Sequence, residues 1–183
     1  MGSFYTSHTV RGPSQQDLLG WLERRQAMVS KTENGLTVLL DQECEEQNGE
    51  VLASVASQIS KDFDCHVLAL LNHDDDVLYF ELYGNGEKMD EYNSSPAFFS
   101  EDAESNDPVG GNVALLCSIF EAKDAAAVEE ALRGDYVFAF ERHRDLAVAL
   151  GLPLHSVGIG YNYASEGDLP PDTPNGEYQR SEA

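Results

Sequence analysis

The densest chemistry in this chain lies at Glu141-Arg142-His143-Arg144-Asp145. An imidazole titrates near neutrality and a guanidinium binds anions through paired donors. His143 is therefore the candidate general base and Arg144 the candidate anion clamp, with Glu141 a further catalytic candidate beside them. Tyr161 is a further candidate if a pocket forms between a sheet and the C-terminal helices. The same segment also reads as a charged helix start. Glu141 and Asp145 are four apart on one helical face, and Arg144, three from Glu141, can form a salt link with it.

A second group is almost purely acidic. His73 precedes Asp74, Asp75 and Asp76, and the stretch from Ser100 to Asp107 adds Glu101, Asp102, Glu104 and Asn106. Clustered oxygens are what Mg²⁺ and Ca²⁺ take, which makes Asp74, Asp76, Asp102 and Asp107 the candidate metal ligands. Consecutive aspartates at a hairpin tip diverge, however, and neither stretch has the EF-hand spacing. A solvated turn and an acidic loop explain them without an ion. A joint cation site is expected only if the fold brings the two stretches together. His8, His66 and His155 have no regular metal spacing, and Cys44, Cys65 and Cys117 contain no Cys-x-x-Cys pair. That pattern fits neither a disulfide framework nor a zinc site. Gly158-Ile159-Gly160 lacks the third glycine of a dinucleotide loop, and its glycines fit close packing in a strand. No phosphate-binding loop, nucleophile elbow or His-Glu-x-x-His occurs, so no cofactor is expected.

The third group is Tyr79, Tyr83 and Tyr92. On adjacent strands these tyrosines could share the face opposite Leu78, Phe80 and Leu82. If helices covered only one side of the sheet, the three would form an exposed aromatic interface.

The elements that must position these groups follow from periodicity. Ser3–Val10 is rich in β-branched and aromatic residues and reads as a strand. Ser14 with Asp17 has capping-box spacing and opens a helix over about 14–26. Ala27–Lys31 and Leu36–Leu40 read as a hairpin across Thr32–Gly35. Val51, Val55 and Ile59 mark a helix over about 49–62. Val67–Leu71, Val77–Tyr83 and Lys88–Tyr92, joined by the Asp turn and by Asn85-Gly86, read as a three-stranded antiparallel meander. Helical patterns return at 112–120, 125–133 (with Asp124 as N-cap) and 141–150. Tyr136–Phe140 fits either strand or helix start, and Val157–Tyr163 alternates as a last strand would. The expected fold is α+β: an antiparallel sheet with helices mainly on one face. Part of it would be ferredoxin-like, which leaves the third helix pair unexplained. Residues 1–164 are read as one domain and 165–183 as an acidic tail without regular structure.

Several of these segments resemble a group of uncharacterised bacterial proteins. They are Tyr5–Pro13, the His73–Asp76 turn, Glu87–Tyr92 leading to Ser94-Ser95-Pro96, and Glu141-Arg142-His143 followed by Ala149–Pro153. The resemblance spans about residues 4–170. It brings no known activity, so it implies nothing about sites or partners.

Composition then limits the partners. Of 183 residues, 33 are Asp or Glu and 11 are Lys or Arg, a formal charge of −22. Phosphate binding works through cationic counterion release, and anionic lipid repels acid. Direct nucleic-acid and membrane partners are therefore disfavoured. Most of the charge falls between residues 31 and 120, whereas residues 1–30 hold three arginines against Asp17 and Glu23. Three thiols without an apolar leader fit the cytoplasm. The expectation is a non-enzymatic, inhibitor-like interaction protein that binds a basic protein partner or itself. The alternatives are a small-molecule binder or enzyme with a pocket near His143 and Arg144, and a cation-responsive protein using the acidic loops.

Overall fold

A computed structural model describes residues 2–99, 105–171, 173–174 and 176–182. The first half of the chain runs β1 (Tyr5–Arg11), α1 (Gln15–Trp21), β2 (Ala27–Ser30), β3 (Leu36–Asp41), α2 (Gly49–Asp62) and β4 (His66–His73). These four strands lie in the order β4-β1-β3-β2 and every pair is antiparallel. This is the split β-α-β, ferredoxin-like layout. Local signals place its pieces. The Ser14 hydroxyl accepts from Asp17 N–H while the Asp17 carboxylate accepts from Ser14 N–H, a complete capping box. Asn48 caps α2 through Glu50 N–H.

The sheet then grows outward to eight strands. β5 (Val77–Gly84) and β6 (Glu87–Asn93) complete the expected meander, and β7 (Val109–Gly110) follows at that edge. Asn85 and Gly86 both have positive φ, 51° and 84°, as a tight hairpin between twisted strands requires. At the opposite edge, β8 (Tyr178–Arg180) pairs with β2. Part of the segment read as an unstructured tail is thus built into the sheet. Glu177 and Ser181, on either side of β8, are buried; Ser181 Oγ accepts from Ala27 N–H and donates to Arg25 O.

The remaining helices are α3 (Pro96–Phe99), α4 (Val113–Phe120), α5 (Ala125–Arg133), α6 (Ala139–Leu150) and α7 (Tyr161–Glu166). The stretch read as a last strand, Val157–Tyr163, instead runs from a turn into α7. Gly158 there has φ +78°, outside any strand, and Gly160 is the N-cap of α7.

Helices cover both sides of the sheet, which corrects the expectation of a single helical face. Val67, Ala69 and Leu71 of β4 pack with Leu18 of α1 and with Leu52, Val55 and Ile59 of α2. Leu68 and Leu70 face the other way. They join Leu78, Phe80 and Leu82 of β5 and Leu116, Leu132 and Leu146 of α4, α5 and α6. A smaller cluster sets Met28, Val38 and Leu40 against Ile159, Tyr161 and Ala164. The third helix group, unexplained by a ferredoxin-like unit alone, is the cover of this second face. No helix among the described residues is long and apolar enough to cross a membrane.

Phe80 is fully buried in the second core, while Met89 on the neighbouring strand is exposed. Phe80→Ala is expected to cost about 3–5 kcal/mol and Met89→Ala less than about 0.5 kcal/mol. Chemical denaturation checks both; comparable losses would refute this division between core and surface.

Candidate functional site

Helix α6 separates the three residues proposed for acid–base work. His143 is 1% exposed and lies beneath β1, its Nδ1 2.9 Å from the Tyr5 hydroxyl and the two rings stacked at 5.7 Å. Burial, with no charged neighbour to offset it, pulls the imidazole pKa down to about 3. Burial likewise keeps the Tyr5 phenol protonated far above its ordinary range. The pair is a neutral hydrogen bond inside the core. Arg144 is exposed and meets Asp145 at 3.4 Å, not Glu141. Tyr161 packs beside β2 with its hydroxyl 3.2 Å from Gln26 Oε1. His143, Arg144 and Tyr161 therefore do not converge on one pocket.

The residue that matters in this run is Arg142, which the sequence reading passed over. Its buried guanidinium donates to Ala131 O and Leu132 O (3.0 and 2.8 Å) and to Gly134 O at 2.8 Å. These are carbonyls at the end of α5, where a cation also meets the helix dipole favourably. The Tyr136 ring lies 4.6 Å from the guanidinium carbon. Arg142 sits four residues before Leu146 on the buried stripe, and that spacing was the available signal.

The acidic turn is occupied by main-chain donors. Asp74 and Asp75 have φ of 52° and 59°. Asp74 Oδ1 accepts from Gly2 N–H, and Asp75 accepts from Ser3 N–H and from Asn72 Nδ2. Asp76 N–H closes the turn onto His73 O. Asp107 accepts from the Ser105 hydroxyl at 2.8 Å, and Asp102 lies outside the described residues. Among the described residues no three His, Cys, Asp or Glu side chains are grouped to hold a metal ion.

The tyrosines divide between the two faces. Tyr92 pairs with Phe80, stacks on its ring at 5.1 Å, and donates its hydroxyl to Leu132 O. It is fully buried, so the expectation of a shared exposed face fails for Tyr92. Tyr79 and Tyr83 are on the α2 side, one half-buried and one buried, and both donate to the Glu81 carboxylate at 2.6 and 2.8 Å. Burial alone would raise the Glu81 pKa. Hydrogen bonds from the two tyrosines and from Lys88 outweigh it and hold the carboxyl below its ordinary value. Burial, together with donation to that carboxylate, pushes Tyr83 up to about 12.

Exposed apolar surface gathers elsewhere, around the start of α6. Phe138 is 52% exposed, Leu154 55%, and Phe140 and Tyr163 each 36%. Phe140, Leu154, Val157, Tyr163, Leu169 and Pro170 line a groove of about 530 Å³, with Arg144 and Asp168 at its rim. Gly158, whose φ of +78° favours glycine, lies beside the Phe140 ring in the lining. Phe4, itself exposed, lies one residue beyond Ser3 at the groove end and borders a depression containing Glu45 and Glu46. Aromatic residues at 138 and 140, outside the stripe of α6, were the sequence signal for this surface.

Comparison with protein-family models, curated proteins and solved structures finds no match to this chain. The side chains themselves must carry the functional reading.

His143 supplies a pH test. Its folded pKa lies below the unfolded value near 6.5, so its neutral form favours the fold. That stability is complete above about pH 6.5 and is lost progressively as pH falls toward 3. The His143 imidazole is expected to show no NMR titration between pH 8 and about 5; a midpoint near 6.5 would contradict the buried placement.

Proposed function

We propose that this chain is a non-enzymatic, inhibitor-like binding protein. It docks a basic protein partner through the aromatic groove at the start of α6. The observation that carries this reading is the grouping of Phe140, Leu154 and Tyr163 as exposed side chains around one groove, with exposed Phe138 two residues before Phe140 along the chain. Apolar patches of this kind mark interaction sites, and aromatic residues dominate interface energetics. Asp168 in the groove lining, Glu45 and Glu46 in the separate depression bordered by Phe4, and the overall charge of −22 favour a cationic partner. Such a field speeds encounter and suppresses acidic competitors, nucleic acid included. The free thiols of Cys44, Cys65 and Cys117 support a cytoplasmic setting. An enzyme reading centred on His143 and Arg144 loses its footing, because one side chain is in the core and the other in solvent.

Affinity capture from the cells that make this chain is expected to recover a basic protein. Phe140→Asp and Leu154→Asp should each weaken that complex at least tenfold, while Met89→Asp, on an exposed strand position, leaves it intact. Association should slow as ionic strength rises from about 0.05 to about 0.5 M. Equal binding by all three variants, or an association rate indifferent to salt, would overturn the proposal.

A further inference from the structure

We propose that the pocket beside this groove seats a lysine or arginine side chain of the partner. The inference rests on reading the groove as a docking surface, and it names the chemistry recognised next to it. The pocket, about 440 Å³, lies between the β2–β3 turn (Glu33, Asn34), the corner Gly151–His155 and the side chains of Pro170, Thr173 and Pro174. Leu154 and Pro170 line both cavities, so the groove and the pocket share a wall.

Its walls are mainly apolar: Leu152, Pro153, Leu154, Pro170 and Pro174. Such walls suit the aliphatic stem of a long cationic side chain. The polar groups present acceptors. The Glu33 carboxylate stands exposed at the turn. Thr173 Oγ1 is buried and has no hydrogen-bond partner. Behind the lining, Glu177 is 1% exposed; its Oε1 is 3.5 Å from His155 Nε2, and neither atom makes a hydrogen bond. The Tyr178 hydroxyl occupies the other ring nitrogen of His155 at 2.9 Å. Among the described residues no lysine or arginine lines the pocket.

An anion entering it would face Glu33 with no cation to receive it. A purely apolar group would leave the Glu33 carboxylate unpaired at the pocket wall. A guanidinium or ammonium carries several donors and no acceptor, and it balances that carboxylate. Charge and wall chemistry therefore select the same class of group.

The test uses the whole protein and two small probes, Nα-acetyl-arginine methylamide and its uncharged citrulline counterpart, titrated by NMR. The arginine probe is expected to shift Thr173, His155 and Glu33 in a saturable way. Citrulline should bind about tenfold more weakly or less well still, and Glu33→Gln should weaken the arginine probe about tenfold. Met89→Ala, which lines neither cavity, should leave probe binding unchanged. Equal binding of citrulline, or an arginine response spread over the acidic surface and indifferent to Glu33→Gln, would overturn the pocket assignment. In that case the groove still stands or falls separately, on the Phe140→Asp result with the protein partner.

Discussion

Val67, Ala69 and Leu71 leave one side of the central strand β4, Leu68 and Leu70 leave the other, and both sets are buried. A strand in this position needs cover on two faces, and the rest of the molecule is arranged to provide it. Helices α1 and α2, delivered by the ferredoxin-like connections, cover one face. Helices α4, α5 and α6, delivered after the meander, cover the other. Each fully buried leucine or valine contributes roughly 1.5–3 kcal/mol, so neither layer is dispensable.

Two-sided cover also decides which polar groups are structural. His8 is wholly buried, with Nε2 3.1 Å from Leu52 O, and His143 meets Tyr5. Arg142 binds the carbonyl ends of α5, and Glu81 holds Tyr79, Tyr83 and Lys88. These groups have the chemical types of an active site but serve to satisfy one another inside a packed interior. Chemistry that must reach a partner is confined to the margins of the helical layers, where α6 begins and where the chain closes back on β2.

That closure links the fold to the proposed binding surface. β8 covers the free edge of β2, which would otherwise offer unpaired main-chain groups. In doing so it carries Tyr178 and Glu177 to His155, and Pro170, Thr173 and Pro174, just ahead of it in the chain, line the pocket beside the Glu33 turn. The groove beside it depends on the start of α6, which is tied to the Asp turn through Ala139 N–H and Asp75 O.

The sequence by itself determined the elements governed by neighbours along the chain. Ser14 with Asp17 set the start of α1, Asn85-Gly86 set the tight hairpin, and the alternation over 77–83 set β5, because caps, turns and periodicity act over a few residues. Only the tertiary structure decided which alternating residues stayed exposed. Tyr92 looked like a surface residue until α5 covered it, and Phe138, Phe140 and Leu154, whose burial periodicity left open, stay exposed because no layer covers them. Burial depends on what arrives from distant parts of the chain. For the same reason a tail of Glu, Pro and Asn, with no hydrophobic period of its own, takes its strand from the hydrogen bonds offered by β2.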